Sequence, residues 1–448
     1  MIGPRDVTAP ASLTIATLDP RATTVAARPE PAALAQTDLL QFAKLMCQLG
    51  LLLAVFYFYR LEERAFIALS LLVVAGFAIH YWLPFNWKER FYIAWSVGGA
   101  FVMLSPAAAA TLVTAGLMLY GIVALPVAFR WRLLLVGMVA ALAIYARATL
   151  SFGIPYEFWP VFGAIFMFRF VIYLYDAAHA KSAPKLREFL TYFFILPNYY
   201  FLLFPVIDFQ THRQAYFRRN IHDTAQQGIL WIARGTIHLL LYRAVYHWKG
   251  PSNAPDQVTT FASLASTMVL TYLLYLRVSG QFHIIIGFLH LFGYDLPETH
   301  RRYLLARSLT DFWRRINIYW KDFMVKVVYF PVYFRLRRSG PIRAQVIATI
   351  VVFATTWLLH AYQWFWLRGE LLLAWPDTLF WAILGTLVTI NLLLEGRPVS
   401  RGPSTGWRGR LEPLKIAGTF CLIVAMWSLW NSPSVTEWVD LITWWKVG

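Results

Sequence analysis

The chain has 448 residues, of which 59% are hydrophobic and 14% charged, and its formal net charge is +17. A soluble domain carries about 25% charged residues, so this composition leaves too little polar surface for a large water-facing globule. The basic excess is not that of a nucleic-acid binder. Arg and Lys sit in short loops between apolar runs, where they hold those loops in the cytoplasm against anionic lipid.

Residues 1–36 differ from everything that follows. Pro4, Pro10, Pro20, Pro29 and Pro31 interrupt an Ala/Thr-rich stretch with no apolar core of signal-peptide length. The expectation is a disordered tail that is neither signal nor span, followed by one membrane domain over 37–448. A helical span needs about 20 mostly apolar residues. Stretches that qualify are 39–59, 65–84, 91–107, 110–129, 131–150, 158–175, 189–206, 229–247, 258–277, 344–367, 373–394 and 413–430. The expected fold is therefore all-α: a polytopic, multi-pass transmembrane bundle of about 11–12 spans, with re-entrant or interfacial helices. The segments at 91–107 and 189–206 are short enough to be partly re-entrant. Cys47 and Cys421 lie inside apolar runs and read as small core residues, with no disulfide framework or metal cluster. No internal repeat is evident, which weighs against an inverted-repeat transporter.

Two basic loops orient the last third of the chain. One carries Arg335, Arg337, Arg338 and Arg343, the other Arg397, Arg401, Arg408 and Arg410. Two spans separate them, so both lie on one side. The positive-inside rule makes that side cytoplasmic and puts the link at Arg368–Glu370 outside.

Residues 279–334 are dense in charge and aromatics yet flanked by spans. Read as one helix, 311–326 gathers Asp311, Arg315, Asp322 and Lys326 on one face, widened by Arg314 and Lys321. Phe312, Trp313, Ile316, Trp320, Phe323 and Met324 take the other, and Asn317 sits on the border. Such a helix lies along the bilayer surface, or lines a wet cavity. Ahead of it, Ser279-Gly280-Gln281-Phe282-His283 adds polar groups at a break. Further on, His360 stands inside a span, with Thr356, Trp357, Gln363 and Trp364 three or four residues away on its face. An intramembrane ionisable residue faces the bundle interior and is a functional candidate; a core histidine satisfied by a carbonyl or by Gln363 is the plainer alternative. Its imidazole is suited to taking a proton from a hydroxyl at neutral pH. The other histidines have scattered spacings, and no metal motif, phosphate loop or serine elbow is present.

The ordered run Ser279-Gly280, Gly287-Phe288, Leu291-Phe292-Gly293-Tyr294, Leu296-Pro297-Glu298, Ala306-Arg307-Ser308-Leu309, Asp311-Phe312-Trp313-Arg314-Arg315 and Tyr329-Phe330-Pro331 resembles the membrane-bound O-acyltransferase (MBOAT) family. It is most like the branch of alginate O-acetylases and teichoic-acid D-alanyl transferases, and the likeness is concentrated in 279–366. His360 stands where the family's intramembrane histidine falls. The sequence departs where that branch has tryptophan–histidine–isoleucine–serine: here the residues are Ile316-Asn317-Ile318-Tyr319. Asparagine at that position resembles the sterol and diacylglycerol acyltransferase branches.

The resemblance implies an O-acyltransferase of a bacterial inner membrane, with a tunnel meeting the histidine at its middle. His360 would act as general base, and Asn317 would orient a substrate or polarise a carbonyl. Trp313 and Trp320 would wall the tunnel, and Arg314, Arg315, Lys321, His283 and Gln363 would contact substrate. No bound cofactor or metal is expected. An acyl-CoA or acyl-carrier thioester would be the co-substrate, and an extracytoplasmic glycan or envelope hydroxyl the acceptor. Membrane lipids and an accessory protein complete the expected partners. A non-enzymatic lipid or glycan transporter needs similar polar groups at membrane depth and is the alternative.

Overall fold

The computed structural model describes residues 31–149, 153–163, 167–180, 185–249, 258–395 and 411–446. Among them there is no β-strand, and an isolated antiparallel bridge pairs Tyr216 with Tyr294. Among the described residues, eight helices are long and apolar enough to cross a membrane. Backbone polar groups find no water in hydrocarbon and must pair within their own segment, which is why these apolar runs are helical. The protein is an all-α, multi-pass membrane protein.

The chain opens with five helices joined by short turns: α1 (Leu39–Tyr59), α2 (Arg64–Trp82), α3 (Phe85–Met103), α4 (Pro106–Ala124) and α5 (Phe129–Thr149). Then come α6 (Met167–His179), α7 (Leu186–Phe193), α8 (Phe209–Ala215) and the long α9 (Ile221–Lys249). α10 (Phe261–Leu273) runs on through a break at Leu274 and Tyr275 into α11 (Leu276–Leu291). Three short helices follow, α12 (Leu309–Arg315), α13 (Ile318–Met324) and α14 (Phe330–Leu336). The chain closes with α15 (Pro341–Arg368), α16 (Trp375–Glu395), α17 (Glu412–Trp430) and α18 (Val435–Ile442).

Four expectations need correction. The span expected at 189–206 does not form: α7 stops at Phe193, and Leu196–Tyr199 is a 3-10 turn containing Pro197. A proline lacks the N–H for helical continuation and disfavours helix in the residue before it. Within the stretch 158–175 the described helices are Phe158–Val161 and α6, and residues 164–166 between them lie outside the described residues. Pro31–Leu34, expected within the disordered stretch, form a helical turn and Ala35 is buried; residues 1–30 lie outside the described residues. Cys47 and Cys421 are exposed on the bundle surface, so they are not core residues. The single amphipathic helix expected over 311–326 is broken at Ile316 and Asn317.

The hairpin connections order the helix ends. α15 begins beside the basic loop at Arg335–Arg343 and ends at Arg368, so Arg368 marks the distal end. The loop at Arg397–Arg410 lies outside the described residues. Arg147, near the end of α5, packs against Gly369, and Tyr156 donates to the Leu367 carbonyl at 3.1 Å. Alternating back through the short turns puts the α1–α2 turn at the distal end and the α2–α3 turn at the basic end. There Asp38, Tyr81 and His222 join by hydrogen bonds of 2.8 and 3.3 Å. Lys88, fully buried, donates to the His80 and Tyr81 carbonyls at 2.5 and 2.8 Å and so caps α2.

α9 and α11 form the most extensive helix pair. A Cβ on Gly235 would meet the Gly280 carbonyl oxygen at 2.5 Å, and one on Gly287 would meet the Gly228 oxygen at 2.6 Å. Only glycine permits that backbone approach, the small-residue packing expected where helices associate in lipid.

Candidate active site around His360

The residue preceding Asn317 closes α12, and Asn317 itself adopts a left-handed conformation, φ 42° and ψ 63°. Asparagine tolerates that region better than most residues. Its Oδ1 accepts from the Trp320 backbone N–H at 3.3 Å and caps α13. The placement expected within a continuous helix is therefore corrected: Asn317 is the hinge between two helices, and its side-chain oxygen holds the turn that carries Trp320. The break also divides the expected polar face. Asp311 pairs with Arg315 at 2.6 Å, Lys321 with Asp322 at 2.6 Å, and Lys326 with Asp176 and Asp208 at 2.6 and 2.5 Å. Arg314 is exposed.

Trp320 projects from α13 to His360 on α15, ring centroids 6.2 Å apart. Two further indoles complete a wall about the imidazole: Trp381 of α16 at 5.0 Å and Trp430 of α17 at 5.6 Å. One carboxylate holds both, since Asp377 Oδ1 accepts from Trp430 Nε1 at 2.6 Å and from Trp381 Nε1 at 3.2 Å. Phe380 stacks on Trp430 at 4.6 Å, and Trp313 packs against Phe353 at 4.7 Å and Trp381 at 6.4 Å. Among the described residues no group hydrogen-bonds the His360 imidazole, which keeps partial accessibility. The indole N–H groups of Trp320 and Trp357 are buried without an acceptor. An unused base and two unused donors thus share one neighbourhood, Trp357 lying three residues before His360 on the same helix face. Gln363 is half-buried one turn beyond His360.

Asp377 lies in the first turn of α16 and Trp430 is the last residue of α17. Both are at the distal end of their helices, so His360 is near that end rather than at mid-bundle.

His283 is not in this group. It belongs to a second polar cluster on the α9–α11 interface, where it stacks on Trp231 at 5.3 Å and approaches His238 at 5.3 Å and His300 at 5.8 Å. A hydrogen-bonded string runs from Tyr275 to His300 (2.9 Å), to Thr299 (3.0 Å), to His283 Nδ1 (3.3 Å). Burial, and then the neighbouring His238 and Arg234, push the His300 imidazole down to about 3. His283 Nε2 is buried without a partner. The described residues contain no group of His, Cys, Asp and Glu arranged to hold a metal.

The structure brings Trp320 against His360 and Trp313 against Trp381, while sequence reasoning missed Asp377, Trp381 and Trp430. A signal for them was present. Asp377 and Trp381 are four residues apart at the start of a span, and Trp427 and Trp430 three apart at the end of another. The chain matches no protein-family model and no curated protein sequence.

Proposed function

We propose that the protein is a membrane-bound acyltransferase that moves an acyl group from a thioester to a hydroxyl, with His360 as general base. The imidazole takes the hydroxyl proton as the oxygen attacks the thioester carbonyl. The carbon–sulfur bond then breaks, and the leaving thiolate recovers that proton from the imidazolium. Charge on the carbonyl oxygen develops within reach of indole donors. Trp320 and Trp357 join Asn317 as the side chains proposed for that role: Asn317 caps α13 through Oδ1 alone, and the two indole N–H groups are buried without an acceptor. Loss of one such donor costs about 100–1000-fold in rate.

The observation that carries this reading is the unpartnered, partly accessible imidazole inside a three-tryptophan wall. The resemblance of 279–366 to the MBOAT family supports the reaction class. The distal position of His360 favours an acceptor arriving from outside the cytoplasm, such as a glycan or envelope hydroxyl in a bacterial inner membrane. A thioester of coenzyme A or of a carrier protein would arrive from the basic end.

The test is acyl transfer from labelled acyl-thioesters by purified protein, with hydroxyl acceptors supplied one at a time. His360→Ala should abolish transfer and leave the protein folded in membranes. Wild-type turnover in that variant would refute the assignment. The transporter reading draws on the His238–His283–His300 cluster, whose hydrogen-bonded string resembles a proton relay. It predicts substrate movement across vesicles that survives His360→Ala and is lost in His283→Ala.

A further inference from the structure

A cavity of about 650 Å³ opens at the distal end, where the α1–α2 turn meets the last turns of α9 and the start of α11. Arg60, Glu62, Tyr242, Arg243 and Arg277 line it. We propose that it is a phosphate site, occupied by the headgroup of an anionic lipid in the leaflet at this end of the bundle.

Charge is the first argument. Arg277 is neutralised by Glu62, which it grips at 3.1 and 2.8 Å; Glu62 is nearly inaccessible and also receives Gln281 at 2.9 Å. Arg277 lies over the Tyr242 ring at 5.7 Å, so this part of the wall is rigid. Arg243 donates to the Arg60 carbonyl at 2.9 Å, a neutral acceptor that leaves its charge uncompensated. Among the described residues neither Arg243 nor Arg60 pairs with a carboxylate. Glu63 lines the cavity but is exposed and pairs with neither. The cavity is therefore net positive, and its cations carry the planar fork that grips phosphate bidentately.

Backbone strain is the second and independent argument. Arg60 closes α1 in a left-handed conformation, φ 45° and ψ 53°, its N–H returning to the Phe56 and Tyr57 carbonyls. That helix-end position favours glycine, and any other residue there is strained. Strain held at one position points to a required side chain. Here the residue is an arginine that lines the cavity.

Depth identifies the source of the phosphate. Tyr57, Phe58, Tyr59 and Trp248 flank the lining residues in sequence, Tyr246 is itself one of them, and all five are exposed. Exposed Tyr and Trp mark the headgroup level of a bilayer. The cavity thus stands where lipid phosphates are concentrated, with apolar surface beneath it for the acyl chains.

The test is native mass spectrometry and thermal unfolding of the full chain in mixed micelles containing phosphatidylglycerol or phosphatidylcholine. Inorganic phosphate and glycerol 3-phosphate are added in separate arms. Wild type should retain phosphatidylglycerol over phosphatidylcholine, and Arg243→Gln should weaken that retention about tenfold, as for one charge-assisted contact. Arg60→Gly should lose the selectivity while raising the melting temperature in phosphatidylcholine, because it removes the strain together with the ligand contact. Equal retention of both lipids by wild type would overturn the proposal. So would Arg60→Gly that keeps the selectivity. Displacement of phosphatidylglycerol by millimolar inorganic phosphate would overturn the lipid assignment in favour of a free-phosphate site.

Discussion

Replacing Asp377 with alanine separates two roles that its carboxylate combines, pairing two indoles and shaping the chamber. The bond to Trp430 is short (2.6 Å) and that to Trp381 ordinary (3.2 Å). A hydrogen bond to a charged group contributes about 1.5–3 kcal/mol and a weaker one about 0.5–1.5 kcal/mol. Asp377 is only half-buried, so the lower half of each range applies and the pair contributes about 2–3 kcal/mol. The released rings are two of the three walls about His360. On the proposed function, a chamber loosened to that extent should lose about 10–100-fold in kcat/KM, carried mainly by kcat because the proposed base and thioester would no longer be held in register. Asp377→Asn keeps an acceptor oxygen and should recover most of the loss. The assay is transfer of labelled acyl groups with kcat and KM resolved, alongside tryptophan emission in the same micelles. Unchanged kcat/KM and unchanged emission in Asp377→Ala would refute the reasoning.

Asn317→Gly should stay folded, since glycine accepts the left-handed backbone and costs a few tenths of a kcal/mol as a cap, and should lose turnover as one missing donor does. Asn317→Ala should lose about 1–2 kcal/mol of local stability and most turnover, and wild-type turnover in Asn317→Gly would make Asn317 a cap alone. Gly287→Ala puts a Cβ 2.6 Å from the Gly228 oxygen and should cost about 1–3 kcal/mol as overpacking, read as a lowered melting temperature in detergent. His212, outside the spans, is pushed down to about 3, first by burial and then by Arg169. The unfolded chain therefore takes its proton first: this contribution to stability is intact above about pH 6.5 and lost as pH falls towards 3. His212→Phe should flatten that acid limb in pH-resolved unfolding. Cysteines placed at Ser339 and Leu371, with Cys47 and Cys421 replaced, should label from opposite sides of sealed vesicles.

The spans at 39–59, 344–367, 373–394 and 413–430 were legible because nothing interrupts their apolar runs, and their ends agree closely with α1, α15, α16 and α17. The failures have local causes. Over 189–206 the composition is that of a span, but Pro197 and the polar Asn198 end the helix. Over 311–326 the hydrophobic face continues through Ile316, and that periodicity outweighed the turn-forming character of Asn317. α3 starts ahead of its apolar run because Lys88 is drawn inward to cap α2, a tertiary demand that hydropathy does not register.

The candidate site was half legible for a related reason. Periodicity along one helix finds the residues sharing a face with His360, such as Trp357 and Gln363, but its wall comes from α13, α16 and α17. Trp381 and Trp430 read singly as interfacial aromatics, and Asp377 as a helix-start carboxylate favoured by the dipole. Only their convergence gives them another meaning. Two indoles belonging to different helices share one oxygen, and that oxygen lies within the first turn of α16, at the distal end. Trp320 reaches the same imidazole from the segment that enters at the basic end, across the hinge at Asn317. The imidazole is thus enclosed by elements from both ends of the bundle. In the proposed transfer, substrates arriving from opposite sides would meet there, the acceptor passing the Asp377-anchored pair and the donor passing Trp313 and Trp320. If the transfer proceeds as proposed, the Asp377 clamp and the Asn317 cap would together hold the three indoles about the imidazole, so loss of either should lower turnover although the two residues lie on different helices.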